Sequence, residues 1–297
     1  MDKRKRNTGT LRFTKMEGLG NDYIYVDCTL GEPDVDWPAL SIAMSDRHFG
    51  VGADGIILIM PSLKADFRMR MFNADGSEGK MCGNGSRCVA KFVHDRGLTD
   101  KSCVTLETLA GIKVLDMHFG PDGQVETVTV DMGEPVFRAA DVPAVCNKER
   151  MVEEPLNTPS RGKFEVTAVS MGNPHGVIFV PEVTDALVLG AGPQLERHEA
   201  FPDRANIEFV QVLNPHEVRM RVWERGSGET MACGTGACAA VAAAVQNGRC
   251  PQNQAVTVHL KGGDLSVVYT EHTVTMEGAA ELAFTGEIEM DQAGEER

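Results

Sequence analysis

Several things are missing from this 297-residue chain, and each omission removes a class of function. It has no excess of positive charge: the formal charge is −14, which argues against nucleic acid or an anionic membrane surface as a partner. It has no apolar run of membrane-spanning length. The longest uncharged stretch, around Thr230 to Arg249, is interrupted by Gly234, Gly236 and Gly248 and is rich in alanine. The basic run Lys3-Arg4-Lys5-Arg6 has no apolar segment behind it, so it reads as a disordered tail and not as a signal peptide. The expected location is therefore the cytoplasm. The eight cysteines show neither paired CxxC zinc spacing nor a disulfide framework, so reduced thiols and no metal are expected. No low-complexity tract is present.

What remains is a chain of short, β-branched strand candidates. In the first half these are 11–15, 23–27, 56–60, 67–72, 104–107 and 125–131. In the second they are 164–169, 177–180, 207–213, 218–223, 256–260, 265–269 and 273–277. Helices are predicted over 38–45, 86–96, 186–197 and 236–247, with Gly97 and Gly248 placed as left-handed caps. The stretch from Asn147 to Ser160 reads as a loop or linker. The length suits two domains.

The chain carries one pattern twice. Arg68-Met69-Arg70 leads into Cys82-Gly83-Asn84-Gly85, and 151 residues later Arg219-Met220-Arg221 leads into Cys233-Gly234-Thr235-Gly236. Glu78 and Glu229, and Gly97 and Gly248, keep that offset. With one residue added, Gly20-Asn21 matches Gly172-Asn173 and Gly111 matches Gly263. The duplication divides the chain near Met132-Gly133, into halves 1–132 and 133–297.

In each copy a cysteine precedes Gly-x-Gly and a helix follows. Such a turn exposes successive amide hydrogens at a helix N-terminus, where a carboxylate can be held and a neighbouring thiol acidified. A lone copy would more often be structural. Two in register suggest paired thiols that remove a proton from one face of a carbon and return one to the other. Cys88 and Cys238 lie inside the following helices and read as packing residues. Cys28, Cys103, Cys146 and Cys250 have no repeated context.

Longer motifs now stand out. Gly18-Leu19-Gly20-Asn21-Asp22, Phe72-Asn73-Ala74-Asp75-Gly76-Ser77-Glu78 and Met81-Cys82-Gly83-Asn84-Gly85 fill the first half. Gly172-Asn173-Pro174-His175, Trp223-Glu224-Arg225-Gly226-Ser227-Gly228-Glu229-Thr230 and Ala232-Cys233-Gly234-Thr235-Gly236 fill the second. Together they resemble the diaminopimelate epimerase family over nearly the whole chain. The related proline racemase type differs in having histidine after the first Cys-Gly, where this chain has Asn84. In one respect the chain departs from some epimerases, which carry glutamine where it has Gly55.

The resemblance implies an α+β fold of two pseudo-symmetric domains, each a mixed β-sheet or barrel wrapped around a central α-helix, with the site in the cleft between and a last strand near 280–287 crossing back to the first domain. It implies interconversion of LL- and meso-2,6-diaminopimelate without pyridoxal phosphate, metal or other cofactor, for lysine and peptidoglycan precursors. Cys82 and Cys233 would be the acid–base pair, assisted by His175 and Glu224. Asn21, Asn73, Asn173, Asn206, Glu224 and Arg225 would bind substrate, alongside the turn residues Gly83, Asn84, Gly234 and Thr235. A homodimer is also implied. Two other readings stay open at this point: an epimerase for another amino acid such as proline or glutamate, and a thiol redox protein.

Overall fold

The computed structural model describes residues 9–290, so the basic N-terminal run lies outside the described residues. In chain order the elements are β1 Gly9–Gly18, β2 Asn21–Asp27, α1 Trp37–Ser45, β3 Gly55–Met60, β4 Phe67–Asn73, β5 Glu78–Gly79, α2 Gly83–Asp95, β6 Cys103–Thr108, β7 Gly111–Phe119 and β8 Val125–Gly133. The second series is β9 Glu154–Thr158, β10 Gly162–Ser170, β11 Pro174–Phe179, α3 Gly192–Glu196, β12 Asn206–Asn214, β13 Glu217–Glu224, β14 Gly228–Glu229, α4 Gly234–Gln246, β15 Ala255–Leu260, β16 Gly263–Tyr269, β17 Val274–Ala279 and β18 Glu281–Met290. The content is sheet-dominated with a few helices, an α+β fold. Among the described residues, no helix is long and apolar enough to cross a membrane.

The chain separates into two compact units. Unit 1 runs to Val128 and includes Ala279 onward; unit 2 is Thr129–Gly278. In unit 1, β1 pairs antiparallel with both β18 and β2, β2 runs parallel to β3, β3 antiparallel to β4, β4 parallel to β6, and β6 antiparallel to β7. Unit 2 repeats that sequence of pairings one for one. There β10 pairs antiparallel with β9 and β11, β11 parallel with β12, β12 antiparallel with β13, β13 parallel with β15, and β15 antiparallel with β16. Duplicated sequence has thus given duplicated topology.

Each unit encloses one helix that follows a cysteine. In unit 2 the α4 sequence is nearly all Ala, Cys and Val, and Gly236 through Ala244 are buried. Alanine is small and helix-favouring, so strands can close on every side of it. Cys88 and Cys238 are fully buried within α2 and α4, as packing residues should be. Both helices end alike. Gly97 at φ +69° and Gly248 at φ +66° take the left-handed cap. The amides of Leu98 and Arg249 then close on the carbonyls of Val93 and Ala244, at 2.9 and 2.8 Å. Ile24, Ile56, Leu58 and Phe72 anchor a core in unit 1; Ile207, Phe209, Phe201 and Leu195 anchor one in unit 2.

One local expectation needs correction and one needs refinement. Part of the expected loop at 147–160 is strand β9, which pairs with β10 from Thr158↔Gly162 to Glu154↔Val166. Pro155 obscures it, yet proline is tolerated on an edge strand, and Leu156 and Thr158 alternate inward. The expected helix over 186–197 is present, but its first part, Ala186–Ala191, is a wider π-helix that continues directly into the short α-helix α3. Pro193 lacks the amide needed to continue ordinary helical bonding through it.

Candidate active site

In unit 1 the repeated turn places Cys82 at the N-cap of α2. Its sulfur accepts from the Gly85 amide at 3.2 Å, and its thiol donates to Asn21 Oδ1 at 3.3 Å. The Asn21 amide nitrogen donates in turn to Asp54 Oδ2 at 2.8 Å. Asp54, which was not singled out in the sequence, thus joins Cys82 and Asn21 in one hydrogen-bonded chain. Burial, and then the charge of Asp22, push its carboxyl above the ordinary range. Asn84 is buried, with its Oδ1 accepting from Arg87 at 2.9 Å, so it faces inward and leaves the backbone of Gly83 and Asn84 to form the helix terminus. Asn73 sits a turn away, donating to Ser77 Oγ at 3.0 Å.

Unit 2 builds the same frame with different chemistry. Cys233 caps α4, its sulfur accepting from the Gly236 amide at 3.3 Å and lying 3.5 Å from Thr235 Oγ1. Asn173, the counterpart of Asn21, donates through Nδ2 to Thr235 Oγ1 at 3.4 Å. Its Oδ1 lies 3.0 Å from His175 Nε2, and His175 Nδ1 lies 2.7 Å from Glu208 Oε1. Neither His175 nor Glu208 has any exposure. Glu224 Oε1 accepts from the Thr230 hydroxyl. Asn206 is buried and fastens two turns together, accepting from the Arg225 amide at 2.8 Å and donating to the Pro174 carbonyl at 3.4 Å. Arg225 is exposed and spends one N–H on the Asp203 carbonyl at 3.0 Å.

Glu208 was missed in the sequence. Its signal was available: it is the lone carboxylate in the apolar strand Asn206-Ile207-Glu208-Phe209-Val210, where every residue is buried. A charge in such a run requires a partner.

The expectation that a helix terminus acidifies its thiol fails at Cys233. Burial, and then the charges of Glu224 and Glu208, raise that thiol well above its ordinary range. The Gly236 amide and Thr235 pull the other way and are outweighed. Cys233 is therefore held as a thiol at neutral pH. At neutral pH iodoacetamide should label the half-exposed Cys82 well before buried Cys233. Glu224→Gln should speed labelling of Cys233, as peptide mass spectrometry of a time course will show. Faster labelling of Cys233 in the unaltered protein would contradict this ordering.

The duplicated sheets wrapped around thiol-capped helices are the architecture that solved structures of amino-acid racemases, epimerases and related isomerases share. Solved structures agree in fold. A hydroxyproline epimerase from Agrobacterium vitis, with bound trans-4-hydroxy-L-proline, superimposes with TM-score 0.70 at 16% identity, covering 95% of this chain and 92% of that one. A methylitaconate-delta-isomerase does so with TM-score 0.68 at 16% identity, covering 97% of each. Sequence is more specific. The diaminopimelate epimerase family model matches residues 13–138 and 167–283. The diaminopimelate epimerase of Acetivibrio thermocellus is 50% identical over 95% of this chain and 100% of its own length, and that of Methanococcus maripaludis strain S2 is 49% identical over 94% and 100%. The chain belongs to the diaminopimelate epimerase family.

Proposed function

We propose that this protein interconverts LL- and meso-2,6-diaminopimelate by two-base proton transfer between Cys82 and Cys233. One observation carries the reading: the duplicated turn sets a cysteine sulfur on the first free amides of a helix in each unit, at 3.2 Å in one and 3.3 Å in the other. One cysteine, as thiolate, takes the α-hydrogen and becomes a thiol. The electron pair left on carbon spreads into the α-carboxylate. The other cysteine gives its hydrogen to the opposite face of that carbon and is left as thiolate. Carbon inverts, and the two sulfurs exchange protonation states. The raised pKa of Cys233 supports its starting as the donor.

An α-hydrogen is a weak acid, so charge developing on the carboxylate needs stabilisation. The free amides around Gly83-Asn84 and Gly234-Thr235 are suited to supply it. Glu224 keeps Cys233 protonated until transfer. Arg225, with donors to spare on an exposed turn, suits the distal carboxylate, with Asn73 beside the distal amino-acid head, Asn21 beside the Cys82 thiol, and Asn206 holding the Arg225 turn in place. A substrate lacking that second head would leave such groups unpaired. The same reading includes a homodimer, cytoplasmic location and a place in lysine and peptidoglycan precursor synthesis, which follow from family membership. Light scattering on the purified protein tests the dimer.

The deciding experiment is incubation of the reduced protein with LL-diaminopimelate in heavy water, followed by proton NMR. Loss of the α-hydrogen signal with appearance of the meso isomer is the expected result. Exchange with proline or glutamate but not diaminopimelate would overturn the substrate assignment, and no exchange with any amino acid would overturn the reaction.

A further inference from the structure

We propose that Glu208 is a positioning residue: through His175 it holds the Asn173 amide with its NH2 group facing the N-terminus of α4, where that group and the Thr235 hydroxyl receive a substrate carboxylate. This rests on the reading that an amino-acid carboxylate docks at that helix terminus.

The argument is one of proton placement. Glu208 Oε1 and His175 Nδ1 are 2.7 Å apart, and His175 Nε2 lies 3.0 Å from Asn173 Oδ1. Glu208 Oε2 has no hydrogen-bond partner among the described residues, and the side chain that meets Oε1 is the imidazole. Suppose one proton is shared between Oε1 and Nδ1. On Nδ1 it makes an imidazolium beside a carboxylate, and Nε2 also carries hydrogen. On Oε1 it makes a carboxylic acid donating to Nδ1, and the neutral ring keeps its hydrogen on Nε2. Both arrangements give the buried pair zero net charge, and in both Nε2 donates to Asn173 Oδ1. The remaining arrangement, a bare carboxylate accepting from a neutral Nδ1–H ring, leaves an isolated buried charge near Cys233 and Glu224. Only that costly form would let the amide turn over and present its oxygen to Thr235.

The duplication provides an internal control. A Cβ placed on Gly236 would lie 2.8 Å from Glu208 Oε1; a Cβ placed on Gly85, its counterpart in unit 1, would lie 2.6 Å from Ile57 Cδ1. The same space beside the first turn of the helix thus holds an isoleucine in one unit and a glutamate in the other. In unit 1, with no Glu–His pair, the duplicated asparagine is held the other way round. Asp54 takes the NH2 of Asn21, and its oxygen accepts from Cys82. One asparagine therefore offers an acceptor at its helix terminus and the other a donor.

The test uses the full-length protein labelled with 15N at histidine, with Glu208→Gln and Glu208→Ile, and His175→Gln to assign the ring. In the unaltered protein Nε2 of His175 should be protonated and slow to exchange. Glu208→Gln should preserve this, because the new amide donates to Nδ1; Glu208→Ile, which copies the packing of unit 1, should lose it. KM for LL-diaminopimelate should rise about tenfold in Glu208→Ile with kcat within about threefold, and Glu208→Gln should stay within about twofold of the parent. An unprotonated Nε2 in the unaltered protein overturns the proposal even if Glu208→Ile fails to fold. So does a Glu208→Gln variant that behaves like Glu208→Ile. The imidazole spectrum decides this whether or not diaminopimelate is the substrate, so the positioning role and the functional reading fail separately.

Discussion

Cys82→Ala and Cys233→Ala should each lower the rate of epimerisation by at least about a thousandfold, because each removes one of the two groups between which the proton passes. The double variant should be scarcely worse than either single one, since residues acting as a unit do not contribute additively. The sulfurs also cap helices, so alanine removes a hydrogen-bond acceptor as well as a base, at a cost of about 1 kcal/mol in stability. Serine separates the two roles. Its hydroxyl can still accept from the Gly85 or Gly236 amide, restoring the cap, but is far too weak an acid to cycle as a proton carrier. Cys82→Ser and Cys233→Ser should therefore melt close to the parent and remain as inactive as the alanine variants in epimerisation. A serine variant retaining a tenth or more of the parent rate, roughly, would mean that capping and not proton transfer is the contribution of the sulfur. The same scheme predicts reversible loss of activity under mild oxidants. Full activity with both thiols blocked would defeat it.

Much of this architecture was legible because local signals and tertiary demands agree. The runs at 56–60 and 207–213 are rich in apolar and β-branched residues, are bounded by turns, and lie in strands β3 and β12. The glycines at 97 and 248 sit where a left-handed cap is required. The repeated cysteine turn identified both helix termini. What escaped has specific reasons. Strand β7 buries only Leu115 and Met117, so charged residues dilute its pattern. Strand β9 is an edge strand containing a proline. The protonation of Cys233 could not follow from its turn alone, since it depends on burial and on Glu208 and Glu224, from other strands of unit 2. Motif logic supplied the helix field but not the carboxylates opposing it. Side-chain orientations were likewise beyond the reach of the motifs. Asn21 and Asn173 occupy equivalent turns, yet Asp54 and His175 hold their amides in opposite senses.

The other large effect concerns Gly55, where some epimerases of the family carry glutamine. Gly55→Gln should destabilise unit 1 by about 3–5 kcal/mol or prevent folding. Gly55 opens strand β3 at φ +154°, in a region open mainly to glycine. A Cβ there would lie 2.0 Å from the Phe72 carbonyl oxygen, 2.9 Å from Tyr23 Cε1 and 3.0 Å from Asn73 Cα. Two of these obstacles are backbone, and the backbone is pinned. The Asp54 amide donates to the Asp22 carbonyl at 2.7 Å, and the Ala74 amide donates to the Asp54 carbonyl at 2.9 Å. Room for a side chain would have to come from opening the β3–β4 pair, in which Gly55 faces Asn73. That opening would displace Asp54, release the Asn21 amide it holds, and remove the acceptor that Asn21 offers Cys82. Loss of activity should therefore accompany loss of stability, and the smaller Gly55→Ala should show the same effects in lesser degree, because the clash begins at Cβ. Urea unfolding followed by circular dichroism measures the first effect and deuterium exchange into diaminopimelate the second. A Gly55→Gln protein with an unchanged midpoint would show that the strand relocates at little cost, and that this chain reaches the glutamine-bearing arrangement by a backbone shift.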